Sequence, residues 1–345
     1  MDYNIPTIGV ADAVQRIVEA YYADAPIMLH GSPGIGKSQA FHQAAKRIAE
    51  IMGQPCDVID LRLMMYDPVE VKGIQTIPTE GDQTRQLRPD YWPKPGTLCL
   101  IVCEEIVSAL PATQAAAYQL VLDRAVGNHK LTKGQLPVGT GNLLSDRAVV
   151  NPIPTPLRDR FGHYRIEPKA SDWVDWAISV NLLPEITSFI HRQPHMLFTM
   201  EEGKDQLAFA TPRSYEKLAR VYAIQADMDK KTRRQWAEAF LGKRVGIELI
   251  AHMDLLKELP DPLMVLRSPE SAPIVGKDNP GLGFALAQSL AYYAARENMG
   301  ALVTYARRCP PETAICMVKD AGRRKPALKE TQQYIAFIAE FDPSN

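Results

Sequence analysis

The chain has 345 residues, of which 46% are hydrophobic and 23% charged, with 39 Lys and Arg set against 40 Asp and Glu. That is enough chain for about two domains with apolar cores of their own, and the near-neutral balance argues against a general binder of polyanions. Five cysteines, an odd number with no CxxC spacing, fit a reduced protein of the cytoplasm rather than a disulfide scaffold.

Residues 10–22 carry apolar side chains at helical spacing, and 26–30 read as a short buried strand. A glycine-rich turn follows, then an Ala-rich helix over 37–52 closed by Gly53, and a second strand over 57–61. From Met64 to Pro95 turn residues dominate and no period holds. Leu98–Cys103 is a continuous apolar strand of the kind buried on both faces. It is far shorter than the ~20 residues that span a bilayer. The first residues, Met-Asp-Tyr-Asn-Ile-Pro, lack the basic and apolar pattern of an export signal, so no membrane segment is expected. A helix over 111–125 begins with Pro, and strands over 136–140 and 162–167 close the series. Strands alternating with helices imply a parallel sheet wrapped by helices. Beyond Pro168 only helices are expected: 171–180, 183–191, 211–226, 233–258, 283–295, 301–308 and 311–322, with a Pro-rich connector over 261–280.

The turn after the first buried strand reads Gly31, Ser32, Pro33, Gly34, Ile35, Gly36, Lys37, Ser38, which fits G-x-x-x-x-G-K-[ST]. Glycines let consecutive backbone N–H groups face one phosphate, and the helix that follows offers its positive end to the same anion. Lys37 is placed to reach the β- and γ-phosphates of ATP, and Ser38 to ligate Mg²⁺. An isolated Gly/Pro turn is the plain alternative. The strand before and the Ala-rich helix after supply the context a phosphate loop requires. The second part is an acidic pair at the end of the apolar strand. Glu104 would order the metal shell, and Glu105 would polarise the attacking water.

With these parts in this order the sequence resembles an AAA+ ATPase, and within that group the MoxR branch. The resemblance extends over nearly the whole chain and is strongest from Gly31 to Arg220. Besides the phosphate loop it is carried by Tyr66-Asp-Pro-Val-Glu-Val-Lys-Gly73, Gln114-Ala-Ala-Ala-Tyr-Gln-Leu-Val-Leu-Asp123, Gly139-Thr-Gly-Asn142, Leu157-Arg-Asp-Arg-Phe161 and Thr211-Pro-Arg213. It implies an AAA+ nucleotide-binding α/β domain over 1–168, a helical lid over 169–225 and a C-terminal helical extension over 226–345. It implies that Asn142 orients the lytic water, that Arg160 is an arginine finger offered to a neighbouring subunit with Arg158 as the weaker candidate, and that Arg213 reaches the γ-phosphate from the lid. Thr211 as a cap and Pro212 behind it place Arg213 in a first helical turn. A surface ion pair of Arg160 with Asp159 or Glu167, a solvated helix face for Arg213 and a turn role for Asn142 are the plainer readings.

Two positions depart from the family pattern: Glu104 stands where Asp is usual, and Val107 where a polar residue is common. The resemblance further implies a homo-oligomeric ring, a hexamer, and a von Willebrand factor A-type partner through which a client complex is remodelled or activated. A nucleotide-gated assembly module with little hydrolysis is the alternative that the two departures keep open. A nucleic-acid motor is disfavoured by the charge balance.

Elsewhere the signals are weaker. Arg62, Lys72, Arg85, Arg88, Tyr91 and Trp92 in and beside the irregular stretch could grip a nucleic acid or a peptide, or form an ordinary loop. The basic run at 230–244 is interleaved with acids and reads as a solvated helix face. Trp173 and Trp176 read as core packing. His191 and His195 lack metal-site context.

Overall fold

In a computed structural model the described residues are 4–78, 83–142, 151, 153–200, 207–225, 227–276 and 280–341. Parts of the irregular stretch (79–82) and of the Pro-rich connector (277–279), the opening residues 1–3, and residue 226 at the expected end of a helix lie outside them.

The chain opens with β1 (Thr7–Ile8), α1 (Val10–Tyr22), β2 (Ile27–His30), α2 (Lys37–Met52) and β3 (Cys56–Arg62). Both helices are amphipathic. Ala13, Val14, Ile17, Val18 and Tyr21 are buried on α1, and Ala40, Phe41, Ala44, Ala45 and Ile48 on α2. Gly53 caps α2 at φ +67°, a left-handed position that suits glycine. The stretch expected to be irregular holds a short helix, α3 (Pro68–Lys72), and a two-stranded hairpin of β4 (Gln75–Thr76) and β5 (Arg85–Gln86). Then come β6 (Leu98–Glu104), α4 (Pro111–Leu122), the hairpin of β7 (Ala125–Val126) and β8 (His129–Lys130), β9 (Gln135–Gly141), α5 (Thr155–Arg158) and β10 (Gly162–Ile166).

Six strands form one sheet in the order β1-β10-β2-β9-β6-β3, and every pairing in it is parallel. Because the strands are parallel, their carboxyl ends share one edge, where ligands of open α/β sheets bind. β9 lies between β2 and β6. It therefore sets the distance between the turn after β2 and the acids that end β6.

The chain divides into two compact units, Met1–Pro168 and Lys169–Asn345. Among the described residues the second unit is all helix: α6 (Ala170–Ser179), α7 (Pro184–Arg192), α8 (Pro212–Ile224), α9 (Lys230–Leu241), α10 (Lys243–Leu256), α11 (Pro262–Arg267), α12 (Pro280–Tyr293), α13 (Met299–Ala306), α14 (Pro311–Arg324) and α15 (Gln332–Phe341). One apolar cluster runs from Trp173 to Met253 and a second from Val265 to Phe337. Buried Arg324 ties them by donating to the Leu182 carbonyl (2.7 Å) and to Gln288 Oε1 (3.0 Å).

Three expectations need correction. The helix read over 233–258 is two helices, broken at Gly242 (φ +82°, ψ 158°), where a Cβ would sit 2.7 Å from the Ala208 carbonyl oxygen. The Pro-rich connector contains α11, started by Asp261, whose side chain accepts from Leu263 N (2.9 Å), with Pro262 at the first helical position. The expected helices stop at 322, yet α15 follows and buries Phe337. Among the described residues no helix is long and apolar enough to cross a membrane.

Candidate phosphate-binding and hydrolysis site

The turn between β2 and α2 needs its glycines. Gly34 (φ +77°) and Gly36 (φ +105°) hold left-handed backbone that side chains rarely adopt. At Gly31 a Cβ would come within 2.6 Å of Ile35 Cδ1 and 2.9 Å of the Ile166 carbonyl oxygen. Ile35 is buried and anchors the loop from inside. The loop delivers Lys37 as the first residue of α2. Its ammonium donates to the Gly31 carbonyl, to the Ser32 carbonyl (2.9 Å) and to Asn142 Oδ1 (3.1 Å). The next residue, Ser38, donates its hydroxyl to Glu104 Oε1.

These contacts follow from the sheet. β2 and β9 pair Leu29 with Thr140 and His30 with Gly141, and the Gly31 amide continues the ladder to the Gly141 carbonyl (3.1 Å). Asn142, one residue past β9, is thereby brought to Lys37. On its other side β9 pairs with β6, Gly139 opposite Cys103, so the acids emerge beside the same edge. Glu104 and Glu105 are both partly buried. Glu104 Oε2 also lies 3.8 Å from Arg62 Nε at the end of β3, and Arg62 bonds Asp60 at 3.0 Å.

Glu105 has left-handed backbone (φ +53°, ψ +41°), which costs a non-glycine residue about 1 kcal/mol. Its amide is fixed by the Thr140 hydroxyl at 3.0 Å. The strand ladder ends at Glu104, and the backbone turns at Glu105. Thr140 lies inside the Gly139-Thr-Gly-Asn142 stretch, but the resemblance gives it no role of its own. It stands two residues before Asn142, near the end of β9. Val107 is buried, and its carbonyl accepts from the Asn151 amide (2.6 Å).

A hydroxyl beside a carboxylate is an oxygen donor set that suits Mg²⁺. The ammonium and the loop amides suit polyphosphate. The residues present therefore fit a magnesium nucleotide.

The other expected residues belong to other segments. Leu157 and Phe161 are buried and leave Arg158 and Arg160 exposed between them. Arg160 makes no ion pair among the described residues. Glu167 instead faces Arg165, at 3.7 Å. Arg213 is exposed in the first turn of α8, in the second unit, behind the cap in which Thr211 accepts from the Ser214 amide (3.1 Å). Of the weaker signals, Trp173 is a core residue 6.3 Å from the ring of Trp176. The basic run forms ion pairs typical of a solvated helix, Lys230 with Asp254 and Arg234 with Glu238.

No family model matches the chain, and no curated protein matches it. Among solved structures, it is similar to a mutant of RuvB from Thermotoga maritima at 13% identity, covering 76% of each chain with a TM-score of 0.32. It is similar to a chain of the HORMA:CdnC:Trip13 complex of Escherichia coli MS115-1 at 11% identity, over 74% of this chain and 90% of that one, with a TM-score of 0.40. NtrX of Brucella abortus matches over 97% of this chain and 69% of its own, at 10% identity and a TM-score of 0.40. Likeness at this level decides nothing about chemistry, which rests on the groups gathered at the carboxyl edge of the sheet.

Proposed function

We propose that the chain is an ATPase of the AAA+ type that works as a homo-oligomeric ring, and that it belongs to the MoxR branch. The observation that carries the reading is the meeting of Lys37, Ser38, Asn142 and Glu104 at the ends of three adjacent parallel strands. Residues 1–168 bind the nucleotide, 169–225 act as a lid carrying Arg213, and 226–345 extend it.

In this reading the amides of 31–38 cradle the β- and γ-phosphates, and Lys37 exchanges its loop carbonyls for phosphate oxygens. Ser38 and Glu104 would hold Mg²⁺, which would neutralise charge on the phosphates. Glu105, just past the end of β6, accepts a proton from the attacking water, and Asn142 orients that water. Arg160 of a neighbouring subunit stabilises the charge that develops on the transferred phosphoryl group. A von Willebrand factor A-type protein is the proposed partner, and the work is remodelling of a client complex. Glu104 in place of Asp lengthens the arm to the metal without changing the donor type.

The test is nucleotide binding and phosphate release by the purified chain. Lys37→Ala should weaken Mg-ATP binding at least tenfold, since a charge-assisted contact to phosphate is lost. Glu105→Gln should bind normally and lose at least a hundredfold in turnover. Unchanged affinity in Lys37→Ala would end the proposal.

A further inference from the structure

His30 is the last residue of β2, immediately before Gly31, and it is buried at 6% exposure. The phosphate chemistry described above does not use it. Its Nε2 lies 2.8 Å from Nδ1 of His163 on β10, and Nε2 of His163 lies 2.8 Å from the carbonyl oxygen of Arg158. The rings are 5.1 Å apart at 37°. Phe161, buried between the two arginines and β10, is 6.3 Å from the His163 ring. Gly141 lies against the other side of His30, where a Cβ would approach Nδ1 to 3.4 Å.

The direction of these bonds follows from their far end. A carbonyl can only accept, so Nε2 of His163 carries a proton. In the tautomer of His163 that carries its one proton on Nε2, Nδ1 can only accept, and His30 donates from Nε2. Burial, and then His163 and Lys37 close by, push the His30 pKa down to about 4, so this ring stays neutral. The result is a directed line from the phosphate loop to the exposed arginine segment. At one end, the Gly31 carbonyl that follows His30 accepts from Lys37. At the other, the Arg158 carbonyl lies two residues before Arg160. Two apolar side chains would fill this space without the desolvation that imidazole nitrogens carry.

We propose that His30 and His163 are positioning residues that couple occupancy of the phosphate loop to the placement of Arg158 and Arg160 at the neighbouring subunit's site. This rests on the ATPase reading above. When Lys37 leaves the Gly31 carbonyl for phosphate, the Gly31–Ser32 peptide, one step beyond His30, is released, and the two hydrogen bonds carry the adjustment to the Arg158 carbonyl. The coupling therefore acts on turnover, through the finger segment, more than on affinity for the nucleotide.

Two measurements on the full chain test it. The first is steady-state phosphate release with Mg-ATP. His163→Leu removes both hydrogen bonds and should lower kcat about tenfold or more, because small misplacements of a catalytic group are costly, with KM within about twofold. His163→Gln offers an acceptor and a donor in the same place and should recover most of that loss. Normal kcat in His163→Leu, when Arg160→Ala is inactive, overturns the coupling and leaves the ATPase reading standing. Equal losses in the Leu and Gln variants also overturn it. Absence of any turnover that depends on Lys37 overturns the reading beneath. The second measurement needs no variant. Imidazole ¹⁵N resonances should show both rings protonated at Nε2, and they should shift when a non-hydrolysable ATP analogue with Mg²⁺ is added. Rings unmoved by the analogue overturn the proposal.

Discussion

Two imidazoles set how the fold meets acid. His30 in the first unit and His252 in the second are buried, and burial pushes both down to about 4 from an ordinary 6.5. Above pH 6.5 each ring is neutral whether the chain is folded or not. Between 6.5 and 4 the unfolded chain takes up protons that the folded chain refuses, so stability falls as pH falls through that window. The limit is about 3 kcal/mol for each ring, at roughly 1.4 kcal/mol per pH unit. Thermal unfolding followed from pH 7 to 4.5 should show the decline. His252→Gln, which keeps a partner for Ser188 Oγ (2.9 Å from His252 Nε2), should make it shallower. A midpoint indifferent to pH in the unaltered protein would contradict the assignment. Residue by residue, the phosphate loop was legible because its glycines, Lys37 and Ser38 lie in one string. The role of Thr140 was not, although it lies in the Gly139-Thr-Gly-Asn142 stretch, because a hydroxyl that fixes the amide of Glu105 from another strand has no local signature.

Among the elements, glycine decides where one helix becomes two. The apolar period runs through 233–258 almost unbroken, and this is why one helix was expected. Gly242 interrupts it with dihedrals that only glycine adopts readily, packed on the Ala208 carbonyl. Gly242→Ala should cost about 1–3 kcal/mol and lower the unfolding temperature by several degrees. Gly300 in α13 has open space where a Cβ would stand, so Gly300→Ala should instead stabilise by about 0.4–1 kcal/mol. Differential scanning calorimetry of the two variants reads both signs, and matching signs would refute the argument. The core strands were legible because each is a short apolar run between turn signals, as Leu98–Glu104 shows. α11 was hidden by the density of prolines around it, although Asp261-Pro262 is an ordinary start signal. The β1 edge strand and the two small hairpins, each strand two residues long, fall below what a period can reveal.

For the molecule as a whole, the proposed assembly makes a claim that one subunit cannot satisfy. If Arg160 serves the neighbour's nucleotide, Arg160→Ala and Glu105→Gln should each be nearly inactive alone, the former by the ~10³–10⁵ that such fingers contribute in phosphoryl transfer. Mixed together they should recover turnover, because a Glu105-intact subunit can then sit beside an Arg160-intact one. Phosphate release from mixed and unmixed samples decides the matter. No gain on mixing would place the arginine in its own subunit's chemistry or outside it. The alternation of β9 has a last consequence. Thr140 near its end and Asn142 just past it are the working teeth, and Gly139 and Gly141 beside them carry no side chain. Slip that comb by a single notch, through one residue added within the strand just ahead of Thr140, and the Lys37 and Glu105 contacts vanish together. Length changes inside β9 should therefore silence the site outright, whereas residues added to the turn ahead of Gln135 are taken up by the loop.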